Sequence, residues 1–120
     1  LFHAIVDAIL GALALGDIGE HFPSEDNRWE NANSKSFLEY AYNLMSDKGF
    51  SLGNLDATII LQQPKLISHI IEMRKNIASI LHTEMDSISV KATTTDEMGF
   101  TGKGSGIAAT AVVLIHSHGN

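Results

Sequence analysis

The chain has 120 residues, a net charge of −6 and a pI near 5.3, with 44% hydrophobic and 18% charged residues. This length suits one compact domain and not two, and the acidic balance excludes a broad nucleic-acid footprint, which needs a clustered positive face. Cysteine is absent, which excludes disulfides, thiolate zinc sites and cysteine nucleophiles. The longest apolar stretch, Ala4 to Leu15, is interrupted by Asp7 and is too short to cross a bilayer, and it lacks the basic leader of a signal peptide. Phe2 to Leu15 is predicted to be a helix with Ile5, Ala8, Ile9, Ala12 and Leu13 on its apolar face, stopped by Gly16. Because a helix opens the sequence without an N-cap or a methionine, further residues are expected before Leu1.

Asp17 to Asn33 reads as a polar loop anchored by Phe22 and Trp29. Ser34 is the expected N-cap of a second helix running to Lys48, with Phe37, Leu38, Ala41, Leu44 and Met45 at helical spacing and Gly49 as its stop. The β-branched run Leu55 to Leu61 predicts a buried strand, and Gln62 to Leu66 a loop. A third helix is expected over Ser68 to Leu81, with Ile70, Ile71, Met73, Ile77 and Ile80 inward. Ile88 to Thr93 and Ile107 to Ile115 are predicted strands, separated by a turn region with four glycines. The order α-α-β-α-β-β predicts an α+β two-layer sandwich, a small mixed sheet with helices on one face.

Four groups of residues could carry chemistry. Asp17, just past a helix end, could accept hydrogen bonds from vicinal hydroxyls, and Gly19 would admit a ligand to the backbone; the alternative is an ordinary capped turn. Lys65, in Gln62-Gln63-Pro64-Lys65-Leu66, follows a strand, where ligands of such sheets often bind; the alternative is a solvated lysine. Thr93, Thr94 and Thr95 end a strand with hydroxyls and N–H groups that could hold a diphosphate. Asp96 beside them offers an oxygen ligand for magnesium; the alternative is a hairpin with a long loop. His3 and Asp7 share a helical face as a possible metal ligand and its supporting partner. His21, His69 and His82 read as surface or packing residues; His116 and His118 could chelate a metal, and no function is assigned to them.

Three segments resemble the 2-C-methyl-D-erythritol 2,4-cyclodiphosphate synthase family, in the family's order and spacing: HAIVDAILGALALGDIGEHFP, GNLDATIILQQPKL and VKATTTDEMGFTGKGSGIAA. The resemblance spans nearly the whole chain and implies a single domain over residues 1–120 that lacks the family's leading segment. It implies a homotrimer with active sites between subunits, placed in the bacterial cytoplasm (or a plastid in a eukaryote), with no nucleic-acid or membrane partner. The implied reaction converts 4-diphosphocytidyl-2-C-methyl-D-erythritol 2-phosphate to the cyclic diphosphate and CMP. The substrate's own 2-phosphate attacks the β-phosphorus, so the protein's part is positioning and charge screening.

By the same resemblance His3 is a ligand of a zinc (or manganese) ion, the other ligands lying in the leading segment, and Asp96 holds a magnesium ion that bridges the substrate phosphates. Asp17, Ile18 and Gly19 match contacts to the sugar portions, and Phe22, Pro23, Ser24, Glu25 and Asp26 the loop around the erythritol phosphate. Leu61, Gln62, Gln63, Pro64, Lys65, Leu66 and Ile67 match the cytidine pocket, and Thr93, Thr94, Thr95 and Asp96 the nucleotide-phosphate site, with Thr94 as the transition-state stabiliser. Phe100 and Lys103 match further ligand contacts. The chain departs from the pattern at Asp96 for glutamate, Lys103 for arginine, Ser24 for aspartate, and Ser105 and Thr110 for acidic residues near the trimer axis. The competing readings are a non-catalytic cytidine-nucleotide-binding trimeric module and a trimeric assembly protein that shares only the fold.

Overall fold

The computed structural model describes residues 1–22, 33–60, 68–93 and 108–118. Among the described residues the elements are, in chain order, α1 (Phe2–Ala12), α2 (Ile18–His21), α3 (Ser34–Asp47), β1 (Phe50–Ile60), α4 (Ile70–Ile80), the 3-10 turn Met85–Ser87, β2 (Ile88–Thr93) and β3 (Ala108–Ser117).

The strands form one mixed sheet in the order β2-β1-β3. β1 pairs in parallel with β2, from Leu55 opposite Ile88 to Ile60 opposite Thr93, so α4 is the crossover that a parallel connection requires. On its other side β1 runs antiparallel to β3, from Phe50 opposite Ser117 to Ile60 opposite Ala108. The inward residues Leu52, Leu55, Ala57 and Ile59 of β1 and Ile88 and Val90 of β2 join Ile5, Val6, Ile9 and Leu10 of α1, Leu38, Ala41 and Met45 of α3, and Ile77, Ala78 and Ile80 of α4 in one core. Helices thus cover one face of the sheet, as the two-layer α+β pattern requires. The opposite face carries Val112 and Leu114, 71% and 64% exposed. On that face Lys91 donates to Asp56 at 2.8 Å. This bond, with the Ser89 hydroxyl beside it, holds the Asp56 carboxyl below its usual range.

β1 begins five residues earlier than the β-branched run suggests. Ser51, Gly53 and Asn54 are poor strand formers, yet β3 supplies their partners. A bulge between Leu52 and Asn54 adds one residue, which lets Leu52 and Leu55, three apart, both face the core. Gly53 sits in that bulge, where an added Cβ would stand 3.0 Å from the Leu114 carbonyl oxygen. The stripes on the helices shift as well. The buried residues of α1 are Ile5, Val6, Ile9 and Leu10, while Ala12 is exposed, because α1 packs on both α3 and β3. In α4, Ile71 is 65% exposed; it lies about 100° around the axis from Ile70 and misses the stripe through Ile77 and Ile80. Arg74, by contrast, folds inward and donates to the carbonyls of Ile88 (2.7 Å) and Met85 (3.0 Å), pinning α4 over the start of β2. The cap of α3 is Asn33, whose side chain accepts from the Ser36 N–H at 3.0 Å; Ser34 is the first helical residue.

All three long helices end on a left-handed residue one place past the C-cap: Ala14 (φ 58°), Gly49 (φ 84°) and His82 (φ 54°). After α1, Ala14 N–H donates to Gly11 and Leu15 N–H to Leu10; after α4, His82 donates to Ser79 and Thr83 to Ala78. These are the paired bonds of a Schellman ending, which glycine usually occupies. The helix therefore ends before Gly16, the stop read from sequence. The ring of His82 stacks on Tyr42 at 4.5 Å, which offsets part of its backbone strain; Ala14 has no such compensation.

Replacing Ala14 by glycine removes the left-handed strain at some cost in unfolded-chain entropy. Urea denaturation of Ala14→Gly is expected to show a gain of about 0.5–1 kcal/mol. Gly53→Val should lose about 1–3 kcal/mol in the same assay, because its side chain meets backbone that cannot move without breaking the ladder.

Candidate functional site

The sequence-selected residues that lie among those described fall into two groups on different elements. The first is built on α1, α2 and α3. His3 projects from the exposed face of α1, and its ring lies 5.4 Å from that of Phe37 in α3. Phe37 in turn packs against Phe22 at 4.5 Å, and Phe22 meets Tyr40 edge-on at 4.9 Å. Phe37 and Tyr40 are three residues apart and so share one side of α3. This aromatic row places His3 and Phe22 on one surface. From sequence Phe37 is read only as a packing position of this helix, and Tyr40, three residues on, carries no reading at all.

Asp17, Ile18 and Gly19 belong to the short helix α2, in a stretch that the sequence alone presents as loop. Asp17 is its N-cap and accepts from Glu20 N–H at 3.0 Å. Asp7, the supposed supporting partner of His3, instead accepts from Ile18 N–H at 2.8 Å and ties α2 to α1. His21, read from sequence as a surface or packing residue, packs: Nε2–H donates to the Leu15 carbonyl at 2.8 Å and Nδ1 accepts from the Tyr40 hydroxyl at 3.3 Å. Gly16 has φ 94°, and a Cβ there would strike the Glu20 carboxylate, so the turn needs glycine. Gly19 differs: an added Cβ would touch only Asp17 Oδ1, at 3.4 Å. The backbone does not demand glycine at Gly19, and the missing side chain leaves room for an incoming group.

The second group is at the carboxyl ends of β1 and β2. Thr93 ends β2, exposed, and pairs with Ile60, the last residue of β1; Ala108 begins β3 opposite the same Ile60. The segments 61–67 and 94–107 therefore attach side by side at one end of the sheet, where ligands of parallel strands commonly bind. Leu61, Gln62, Gln63, Pro64, Lys65, Leu66 and Ile67 lie outside the described residues, as do Thr94, Thr95, Asp96, Phe100 and Lys103, and also Pro23, Ser24, Glu25 and Asp26. Among the described residues, no hydrogen bond or ring contact links Thr93 to the His3–Phe22 group.

His3 is the candidate metal ligand among the described residues of this group. The imidazole is exposed and its neighbours leave it accessible, but among the described residues no group of three or more histidine, cysteine, aspartate or glutamate side chains converges to hold an ion. His3 thus fits as one ligand of a site that needs others.

Comparison with known proteins extends this picture. The model of the YgbB family matches residues 1–116. Over 115 residues the chain is 57% identical to a 2-C-methyl-D-erythritol 2,4-cyclodiphosphate synthase of Alkaliphilus oremlandii and 58% identical to one of Geobacter sulfurreducens. Each match covers 96% of this chain and 73% of the relative. Among solved structures, the bifunctional IspDF of Campylobacter jejuni superimposes with a TM-score of 0.92 at 43% identity, over 98% of this chain and 32% of that one. A CDP complex of IspF from Plasmodium falciparum superimposes with a TM-score of 0.87 at 36% identity, over 98% and 70% of the two chains. On the strength of a match along almost its whole length, the chain belongs to the YgbB family.

Proposed function

We propose that this chain is the catalytic domain of a cyclodiphosphate synthase. It converts 4-diphosphocytidyl-2-C-methyl-D-erythritol 2-phosphate to 2-C-methyl-D-erythritol 2,4-cyclodiphosphate and CMP, in the cytoplasm of a bacterium. The observation that carries the reading is the 57–58% identity to synthases over 96% of the chain. The surface shared by His3, Asp17, Gly19 and Phe22 agrees with it.

The chemistry asks little of the protein beyond placement. An oxygen of the substrate's 2-phosphate forms a bond to the β-phosphorus, the bond from that phosphorus to the CMP oxygen breaks, and CMP leaves with the electron pair. Holding the two phosphates in line turns a slow encounter into an intramolecular step. Asp17 keeps one carboxylate oxygen on Glu20 N–H, so the other can accept from a sugar hydroxyl. Gly19 admits the ligand to the backbone, and Phe22 is held beside it by its ring contact with Phe37. Residues Leu61 to Ile67 read the cytidine, while Thr93 to Asp96, with Thr94 at the reacting centre, hold the nucleotide phosphates. A zinc-type ion held partly by His3, and a magnesium ion at Asp96, would supply charge neutralisation on the phosphate oxygens.

The separation of the two groups supports a site completed between subunits of a homotrimer. The exposed Val112 and Leu114 support the same conclusion. A two-layer sandwich leaves one sheet face uncovered, and a second copy of the chain is the partner that buries it. CDP in the complex named for the Plasmodium falciparum relative supports the cytidine pocket over the assembly-protein reading.

Phosphorus NMR of the full-length protein with substrate, zinc and magnesium is expected to show the cyclic diphosphate and CMP together. Tight CMP binding by a folded, metal-loaded protein without product would instead establish the nucleotide-binding module. His3→Ala should lower kcat/KM roughly 10- to 100-fold or more, with a matching loss of bound zinc. Asp7→Ala should destabilise by about 0.5–1.5 kcal/mol and raise KM, because α2 loses its tether. Asp7→Asn keeps an acceptor for Ile18 N–H and should stay near the parent protein in both; equal damage to zinc affinity in both variants would mean that Asp7 acts through His3.

A further inference from the structure

The segment that carries Asp17, Ile18 and Gly19 has little of its own to hold it still. α2 is a single turn of four residues, too short to persist by its own hydrogen bonds, and none of its residues is buried. Its place on the protein is therefore set by side chains that tie it to neighbours. Asp7 ties its start to α1. A second set of ties runs through His21, a residue without a part in the phosphoryl transfer.

His21 ends α2 and reaches back six residues, placing Nε2 2.8 Å from the Leu15 carbonyl oxygen. A carbonyl can only accept, so Nε2 carries the proton, and Nδ1 faces the Tyr40 hydroxyl at 3.3 Å. The bond to Leu15 closes a ring of chain, and both Asp17 and Gly19 lie within it. The bond to Tyr40 fastens that ring to α3. Tyr40 also meets the His21 ring edge-on at 5.8 Å and the Phe22 ring edge-on at 4.9 Å. One side chain of α3 thus touches the last residue of α2 and the residue after it. α3 is itself anchored in the core by Leu38, Ala41 and Met45. The imidazole passes the rigidity of that anchored helix to the loop bearing Asp17 and Gly19.

We propose that His21 and Tyr40 are positioning residues for the sugar portion of the substrate: His21 holds α2 in a closed loop, and Tyr40 fixes that loop to α3. The role rests on the proposed synthase activity. Its effect falls on binding, because a sugar hydroxyl held by Asp17 is the same group in the substrate and in the transition state. Loss of such uniform binding raises KM and leaves kcat nearly unchanged.

Steady-state kinetics of the full-length protein and its His21→Leu, His21→Gln and Tyr40→Phe variants are the test, with hydrogen exchange as a readout independent of turnover. His21→Leu should raise KM roughly tenfold, about the worth of one hydrogen bond, with kcat within about twofold of the parent. Exchange should quicken over residues 16–22 and stay at the parent rate over β1. His21→Gln places an amide donor and an acceptor on one planar group, so it should recover most of the lost KM. Tyr40→Phe keeps both ring contacts and loses the hydroxyl, so it should raise KM roughly threefold. An active parent whose His21→Leu variant keeps the parent KM would overturn the role, as would unchanged exchange over residues 16–22. An equal loss in His21→Gln would also overturn it, since the bulk of the ring and not its bonds would then matter. A full-length parent that forms no product would instead overturn the synthase activity and the role with it, a result distinct from the other three.

Discussion

Everything else in this molecule hangs on β1 having a partner on each side. Its pairing with β2 is parallel, which no tight turn can provide, so α4 must cross over the sheet and bury Ile77 and Ile80 on the way. Its pairing with β3 is antiparallel and runs the length of the strand, from Phe50 to Ile60. The parallel pair points two chain exits in one direction, beside the entry to β3. The end of the sheet where β1 and β2 finish is thus also where β3 begins, and the opposite end carries His116 and His118 of the C-terminal strand. The bulge at Gly53 keeps this arrangement in phase: without the extra residue, Leu52 or Leu55 would turn out to solvent.

The helical layer serves the site in a different way. α1 presents His3 and Asp7 on its outer side while Ile5, Val6, Ile9 and Leu10 fill the core. Polar function and apolar packing are thus divided around one cylinder, as helical periodicity permits. The Schellman ending at Ala14 turns the chain back so that α2 can dock on Asp7, and the aromatic row from His3 through Phe37 to Phe22 and Tyr40 steadies the far side. Nothing in this arrangement requires a large stabilising term. Several modest contacts fix a short segment whose ends are already close.

The uncovered face of the sheet is the feature that a single chain leaves unresolved. Val112 and Leu114 stand exposed beside the Asp56–Lys91 pair, which is half exposed and worth little to stability in water. Burying this face against further copies of the chain would strengthen that pair by excluding solvent and would bring different edges of neighbouring subunits together.

From the sequence alone came the α+β class, the strands Ile88 to Thr93 and the later part of β1, the packing faces of α3, and the family, because these rest on local periodicity and on contiguous motifs. Other features were beyond it. Ser51 to Asn54 form strand because β3 lies alongside, not because of their own propensity. Ala14 and His82 end their helices without glycine's signature, since two bonds per helix end outweigh about a kilocalorie of backbone strain. Asp7 chose the Ile18 N–H over His3, and Phe37 joined the site through its neighbours in space. The pairing of His116 with Ser51, and the return of His118 to the same residue, likewise depends on a register set by strands more than sixty residues apart. Sequence determines what each segment can do locally; only tertiary contact decides which of the competing partners each group meets.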